Sequence, residues 1–336
     1  MPSPKSPLAL TMGEPSGIGP EIAVKAWLAR HDRPVPRFIY VGDPATLDTA
    51  ADALGIEVAR EDTADAAGAA ACWNDAIPVR RIALAEPAVP GAPAPANAAA
   101  TIGAIERAVD MVRDGTASGV VTCPIHKSAL YAAGFKHPGH TEFLAELAGG
   151  GAKPVMMLAV GSFRTVPVTI HMSLAAAIAA LTSDLIVETA EIVNEDLRRF
   201  FGLKAPRLAV SGLNPHAGED GTMGMEEKTI IEPAIERLRR DGMNVIGPLP
   251  ADSMFHEAAR AGYDAALCMY HDQALIPVKT VGFEDGVNCT LGLPFVRTSP
   301  DHGTALDIAG RGTADPRSLI AALELAAEMA VNAEAG

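Results

Sequence analysis

Residues 264–279 read DAALCMYHDQALIPVK. The first seven form an almost unbroken apolar run, the pattern of a strand covered on both faces and not of one that shows a face to water. His271, Asp272 and Gln273 follow it in a row. Strands of this kind belong to α/β proteins in which helices cover a largely parallel sheet, and ligands gather beyond the carboxyl ends of those strands. The stretch therefore predicts both the fold class and a place to look for the site.

The same strand pattern recurs in LALTM (8–12), RFIYVG (37–42), GVVTC (119–123), VMMLAVG (155–161), TVPVTIH (165–171) and RLAVSGL (207–213). Helical spacing separates them. In TIGAIERAVDMVRDG the residues Ile102, Ile105, Val109 and Val112 share one face, with Gly115 placed to stop the helix. TSDLIVETAEIVNEDLRRFFG, EEKTIIEPAIERLRRDG and PRSLIAALELAAEMA repeat the pattern, the last with Pro316 at its start. A mostly parallel sheet system with helical crossovers follows. AEPAVPGAPAPANAAA (85–100) is an Ala/Pro-biased extended connector.

At 336 residues the chain is too long for one small core, and its 49% hydrophobic content suffices for two. A formal charge of −14, with no clustered Lys and Arg, argues against a nucleic-acid partner. Cys72, Cys123, Cys268 and Cys289 form no CxxC pair, which suits a reducing cytoplasm better than a disulfide framework. The N-terminal residues lack a secretory apolar core, and no segment approaches the ~20 apolar residues of a membrane span.

Three strands end in histidine-bearing segments: VTIH at His171, SGLNPH at His216 and CMYH at His271. Three imidazoles brought together can hold a catalytic metal with an open coordination position; alternatively each caps a strand or fills a polar gap. Asp252 and Asp272 suit either second-layer carboxylates or solvated loop positions. In KHPGHTEFL (136–144), His140 and Thr141 open a helix and suit an anion, or simply cap it. Lys279, Asn288 and Arg297 can grip a phosphate together, although singly each reads as a surface residue or a structural ion-pair partner. TMGEPSGIGPEI (11–22) is a strand, glycine-rich turn and helix that does not spell the dinucleotide fingerprint GxGxxG. SPDHGTALDIAGRGTADP (299–316) is a second glycine-rich loop, fit for close backbone approach to a ligand or for a plain surface position.

Taken together, GEPSGIGPE, VTCPIHKSALYAAGF, GHTEF, SGLNPHAGEDG, PLPAD, MYHDQALIPVK and NCTLGLPFVRTSPDHGTALDIAG resemble the 4-hydroxythreonine-4-phosphate dehydrogenase family of pyridoxal phosphate biosynthesis, in family order and over nearly the whole chain. The resemblance implies two α/β domains flanking a cleft, similar to isocitrate and isopropylmalate dehydrogenases and unlike a Rossmann unit. Residues 1–140 with about 285–336 would form the first domain, carrying both termini and the cofactor loop. About 141–284 would form the second, with metal ligands and dimer contacts. It implies a homodimer whose sites draw on both subunits.

By the same resemblance His171, His216 and His271 hold one divalent metal, with zinc favoured by imidazole donors and magnesium or cobalt as alternatives. His140, Thr141, Lys279, Asn288 and Arg297 contact the substrate, and Asp252 and Asp272 are supporting or acid–base carboxylates. Gly303, Thr304 and Asp307 lie on the loop for NAD or NADP. The implied reaction is oxidation of 4-phosphooxy-L-threonine. The rival readings are a paralogous dehydrogenase of erythronate or threonate 4-phosphate, and a zinc hydrolase or aldolase acting on a phosphorylated substrate.

Overall fold

The computed structural model describes residues 4–137 and 139–335. The chain divides into two compact units, Met1–Pro154 with Leu293–Gly336, and Val155–Gly292. The sequence reading puts the crossings near 140 and 285. The units meet later, at 154/155 and 292/293, and the helix His140–Ala148 packs on the helix Ala98–Arg113 of the first unit.

In chain order the first unit contributes β1 (Leu8–Thr11), α1 (Gly19–Leu28), β2 (Phe38–Gly42), α2 (Pro44–Leu54), β3 (Arg60–Asp62), α3 (Ala66–Cys72), β4 (Ile77–Arg81), α4 (Ala98–Arg113), β5 (Val120–Thr122), α5 (Lys127–Ala132) and α6 (His140–Ala148). The second holds β6 (Val155–Val160), β7 (Phe163–Thr169), α7 (Leu174–Ala180), α8 (Ser183–Arg199), β8 (Arg207–Ser211), α9 (Glu232–Arg240), β9 (Asn244–Leu249), α10 (Glu257–Arg260), β10 (Ala265–Tyr270), α11 (His271–Val281) and β11 (Val287–Leu291). The chain then returns to the first unit with β12 (Arg297–Pro300) and α12 (Arg317–Ala335).

The first unit's strands run in the order β3-β4-β2-β1-β5-β12, each adjacent pair parallel. Leu8, Leu10, Phe38 and Tyr40 are wholly enclosed, as a sheet with helical crossovers requires. Helix α4 lays Ala104, Ile105, Ala108 and Val109 against β1 and β2 through one apolar stripe. In the second unit the order is β11-β6-β7-β10-β8-β9. There β6 runs antiparallel to both neighbours, while β7, β10, β8 and β9 are parallel, so one end of the unit collects four successive strand ends.

The sheet system and the long helices match the α/β reading. Two local readings change. The connector read at 85–100 is shorter, because α4 already begins at Ala98. His271 does not merely end a strand: it is the first residue of α11, which continues through Pro277.

Helix α8 hides a charge. Asp196 is 4% exposed, and its Oδ2 accepts the Gly292 N–H at 2.6 Å where the chain leaves the second unit. Burial pushes its carboxyl up to about 6, against the lowering effects of that hydrogen bond and of Arg199. A folded-state value above the unfolded one means that the protonated form is favoured by folding. Its stabilising contribution is complete below about pH 4 and is lost as pH rises through 6, a change on the order of 3 kcal/mol. Asp196→Asn keeps an acceptor for Gly292 and removes the charge. The variant should be more stable than the parent at pH 7.5 and should lose this part of the pH dependence of Tm between 4 and 7; an unaltered pH profile would show that Asp196 ionises freely in the fold.

Candidate active site

Three neighbouring parallel strands of the second unit, β7, β10 and β8, run into the segments that carry His171, His271 and His216. His171 sits two residues past β7 in a left-handed conformation, φ 51°. The Thr169 hydroxyl donates to the Met269 carbonyl at 2.8 Å, tying the end of β7 to that of β10. The His171 and His271 ring centroids lie 5.9 Å apart, with the rings tilted 43° to one another. Both line a cavity of about 360 Å³, together with Thr169, Tyr270 and the start of α7.

Nδ1 of His271 lies 2.7 Å from the Asp272 carboxylate. A carboxylate accepts the Nδ1–H, and this selects the tautomer whose Nε2 lone pair is available to a metal. His216 is exposed in a segment where five successive residues, His216 to Asp220, have φ between 40° and 78°. Among the described residues no three His, Cys, Asp or Glu side chains stand close enough to hold one ion. The strands thus deliver three imidazoles to one edge, and the side-chain positions pair two of them.

Left-handed backbone over five residues is costly and has to be held from outside. Glu227, 2% exposed in the π-helical turn Glu227–Ile231, does so. Its Oε1 accepts the N–H groups of Leu213 and Asn214 at 2.8 and 2.7 Å, and its Oε2 accepts from the Asn214 side chain at 2.9 Å. A Cβ on Gly218 would stand 2.5 Å from Oε2, so glycine is needed there on two counts. Gln273, also buried, spans the neighbouring strand ends: its Oε1 accepts from the Ser211 hydroxyl and the Met269 N–H, both at 2.7 Å, and its Nε2 donates to the Gly212 carbonyl at 2.8 Å. Removing either side chain would strand several buried polar groups, at about 1–3 kcal/mol each. Neither residue stands out in the sequence as functional. The signal for Gln273 is its place two residues into a polar step after a buried strand.

Lys279 lies two turns beyond His271 on the same face of α11, beside a groove that also includes Asp272 and Phe283. Asn288 is on β11, with its Oδ1 buried and lacking a hydrogen-bond partner. Asp252 is exposed on the turn after β9.

The other substrate candidates belong to the first unit. Arg297 is only 3% exposed, which overturns its reading as a surface residue; its Nη2 donates to the Thr122 hydroxyl at 2.7 Å on the adjacent parallel strand. His140 opens α6, and its Nε2 is buried without a hydrogen-bond partner. Burial, with the added fields of Arg297 and Lys127, holds its imidazole well below the usual range, so the ring is neutral at pH 7. Thr141 follows in the first turn of α6.

The two glycine-rich segments of this unit meet. The Ile18 N–H donates to the Thr304 carbonyl at 3.1 Å, and a Cβ on Gly17 would lie 3.0 Å from the same oxygen. Gly303 and Asp307 are exposed on this loop. Beneath it Glu14, 3% exposed, accepts the Ser16 N–H at 3.1 Å. Burial raises its carboxyl above the usual range, offset in part by Ser16 and His126. A buried acid at this turn escapes a reading that follows only glycines.

Residues 34–326 match the family described as "Pyridoxal phosphate biosynthetic protein PdxA". A curated 4-hydroxythreonine-4-phosphate dehydrogenase of Bradyrhizobium diazoefficiens is 58% identical over 335 residues, covering 96% of this chain and 97% of its own. Among solved structures, the 4-hydroxythreonine-4-phosphate dehydrogenase of Klebsiella pneumoniae superimposes with a TM-score of 0.87 at 36% identity, over 97% of this chain and 100% of that one. The corresponding enzyme of Burkholderia phymatum gives 0.84 at 38%, over 97% and 98%. Likeness that runs unbroken through both units, and not through one motif alone, means that this chain belongs to the PdxA family of pyridoxal phosphate biosynthetic proteins.

Proposed function

We propose that this chain is a metal-dependent dehydrogenase that oxidises 4-phosphooxy-L-threonine with NAD or NADP to 2-amino-3-oxo-4-phosphooxybutanoate, a β-keto acid that then loses carbon dioxide to give 3-amino-2-oxopropyl phosphate. The observation that carries it is the delivery of His171, His271 and His216 by three adjacent parallel strands, with the rings of His171 and His271 5.9 Å apart.

These donors suit a divalent ion, zinc above all. Held by His171, His216 and His271, such an ion would supply positive charge beside the substrate hydroxyl and make it more acidic. Gly303, Thr304 and Asp307 would hold the nicotinamide cofactor, which supplies a hydride acceptor when bound. On the protein's side, Asp272 fixes the His271 tautomer through Nδ1, while Arg297, the neutral His140 and the first turn of α6 with Thr141 receive the phosphate. Lys279 on α11 and Asn288 on β11 are further candidate substrate ligands. Asp252 and Asp272 are the candidate proton acceptors, since both carboxylates are solvent-exposed and able to pass a proton on.

A second copy of the chain would complete the site. Helix α7, directly after His171, exposes Leu174 and Ile178 at 57% and 43%, an apolar face that water does not favour. The four cysteines are buried and unbridged, in keeping with work in the cytoplasm. No helix among the described residues is long and apolar enough to cross a membrane.

Incubation with 4-phosphooxy-L-threonine and NAD should generate the NADH band, lose it after chelation and regain it on adding zinc. Erythronate and threonate 4-phosphate should be turned over at least about a hundredfold less efficiently, because each lacks the amino group that a metal-bound substrate offers. Equal or better efficiency with either acid would assign the chain to the paralogous reaction, and phosphorylated-substrate cleavage without NAD would make it a hydrolase or aldolase.

A further inference from the structure

We infer that Lys127 is a further ligand for the phosphate of the substrate, acting with Arg297 and His140 in the first unit. The inference rests on the proposed phosphorylated substrate and adds a residue to that site. Lys127 begins α5, five residues after β5 ends at Thr122, whose hydroxyl Arg297 engages. Its Cε and Nζ each lie 3.6 Å from the point where a Cβ on Gly139 would stand. Gly139 caps α6 without a side-chain hydrogen bond, so the ammonium stands beside the first turn of that helix.

A cation is the wrong charge for a helix N-terminus, whose unpaired N–H groups already present a positive end. It is also the wrong neighbour for Arg297, and both cations bear on His140, which is kept neutral with its Nε2 buried and unpartnered. Glu142, in the first turn of α6, brings a carboxylate to the same place, its Oε2 3.5 Å from that point on Gly139. Lys127, Arg297 and a positive helix end against the Glu142 carboxylate leave an excess of positive charge that a dianion would balance.

Gly139 adds an independent sign. Its φ of −176° is open to any residue, so the backbone does not demand glycine there. What the missing side chain leaves is room beside the lysine. An isolated phosphate-binding lysine acts as a point charge on a flexible stem, which fits its exposed position better than the buried, oriented guanidinium of Arg297 does.

The test uses the full-length metal-loaded protein. Lys127→Met should raise KM for the phosphorylated substrate and the inhibition constant of inorganic phosphate together, by about ten- to a hundredfold, with kcat changed less than about threefold and Tm preserved. Lys127→Arg should recover most of the loss. NMR titration of the ligand-free protein should show the His140 imidazole moving back toward its ordinary range in Lys127→Met, as expected if the ammonium stands beside that ring. An unchanged phosphate inhibition constant in Lys127→Met would overturn the inference, as would a wild-type protein that inorganic phosphate does not inhibit. If phosphate binds in a Lys127-dependent way but 4-phosphooxy-L-threonine is not oxidised, the substrate assignment fails and the phosphate ligand stands.

Discussion

His216→Ala should lose tight metal binding and lower turnover by about a thousandfold or more, equivalent to roughly 4 kcal/mol of transition-state stabilisation. This substitution separates ligation from folding better than one at His271, which opens α11 and hydrogen-bonds Asp272. The His216 ring is exposed and fills no core, so its removal leaves packing untouched. The residue does occupy a left-handed conformation, φ 54°, which histidine and asparagine adopt more readily than alanine. His216→Asn therefore serves as the second variant, keeping the turn and losing the imidazole. Both proteins should unfold within a few degrees of the parent. Equilibrium dialysis should find the ion bound far more weakly, and the cobalt-loaded proteins should lose the absorption bands of the parent. Stoichiometric zinc in His216→Asn, with normal NAD reduction, would remove His216 from the metal site and leave the His171 and His271 pair to be completed by another group.

The strands that the sequence reveals are those enclosed on both sides. LALTM, RFIYVG and DAALCMY leave no choice of face, and each forms a strand within a residue or two of its expected place. The strands missed are β3, β4, β9, β11 and β12: β3 is RED and fully exposed, while IPVRR, NVIGPL, VNCTL and RTSP have their apolar runs broken by charged, polar, Gly or Pro residues, so their place in the sheet comes from tertiary surroundings that hydropathy does not encode. The same divide governs the site. Histidines at strand ends are legible because a buried strand fixes where its end must be. Glu227 is not, because it sits in an unremarkable acidic run, EEK, and its role appears only when the 211–221 segment folds back against it. Gln273 lies in between, marked by the polar step HDQ but assigned a role only by its three hydrogen bonds. Chemistry that depends on one strand's direction can be read from a sequence; chemistry that depends on two loops meeting requires the fold.

Arg297→Ala should raise KM for the phosphorylated substrate by about a hundredfold or more, the loss expected when a buried charge-assisted contact to a dianion disappears. Three observations make the effect larger here than at a surface arginine. The guanidinium is enclosed, so solvent cannot replace it cheaply; it is aimed by the Thr122 hydroxyl at 2.7 Å; and its field already shapes the neighbouring His140. The truncation also opens a cavity on β12, so some loss of stability accompanies it. Arg297→Lys separates the two consequences, because it fills much of the space and keeps the charge while losing the planar fork. KM for Arg297→Lys should fall between parent and Arg297→Ala, with Tm close to the parent. Because the phosphate takes no part in the C–H bond that breaks, kcat should fall less than kcat/KM. Removing the charge should also let the His140 imidazole rise from its depressed position, and inhibition by inorganic phosphate should weaken in step with KM. An unchanged KM in both variants would move the phosphate away from β12 and restrict Arg297 to holding Thr122 within the first unit.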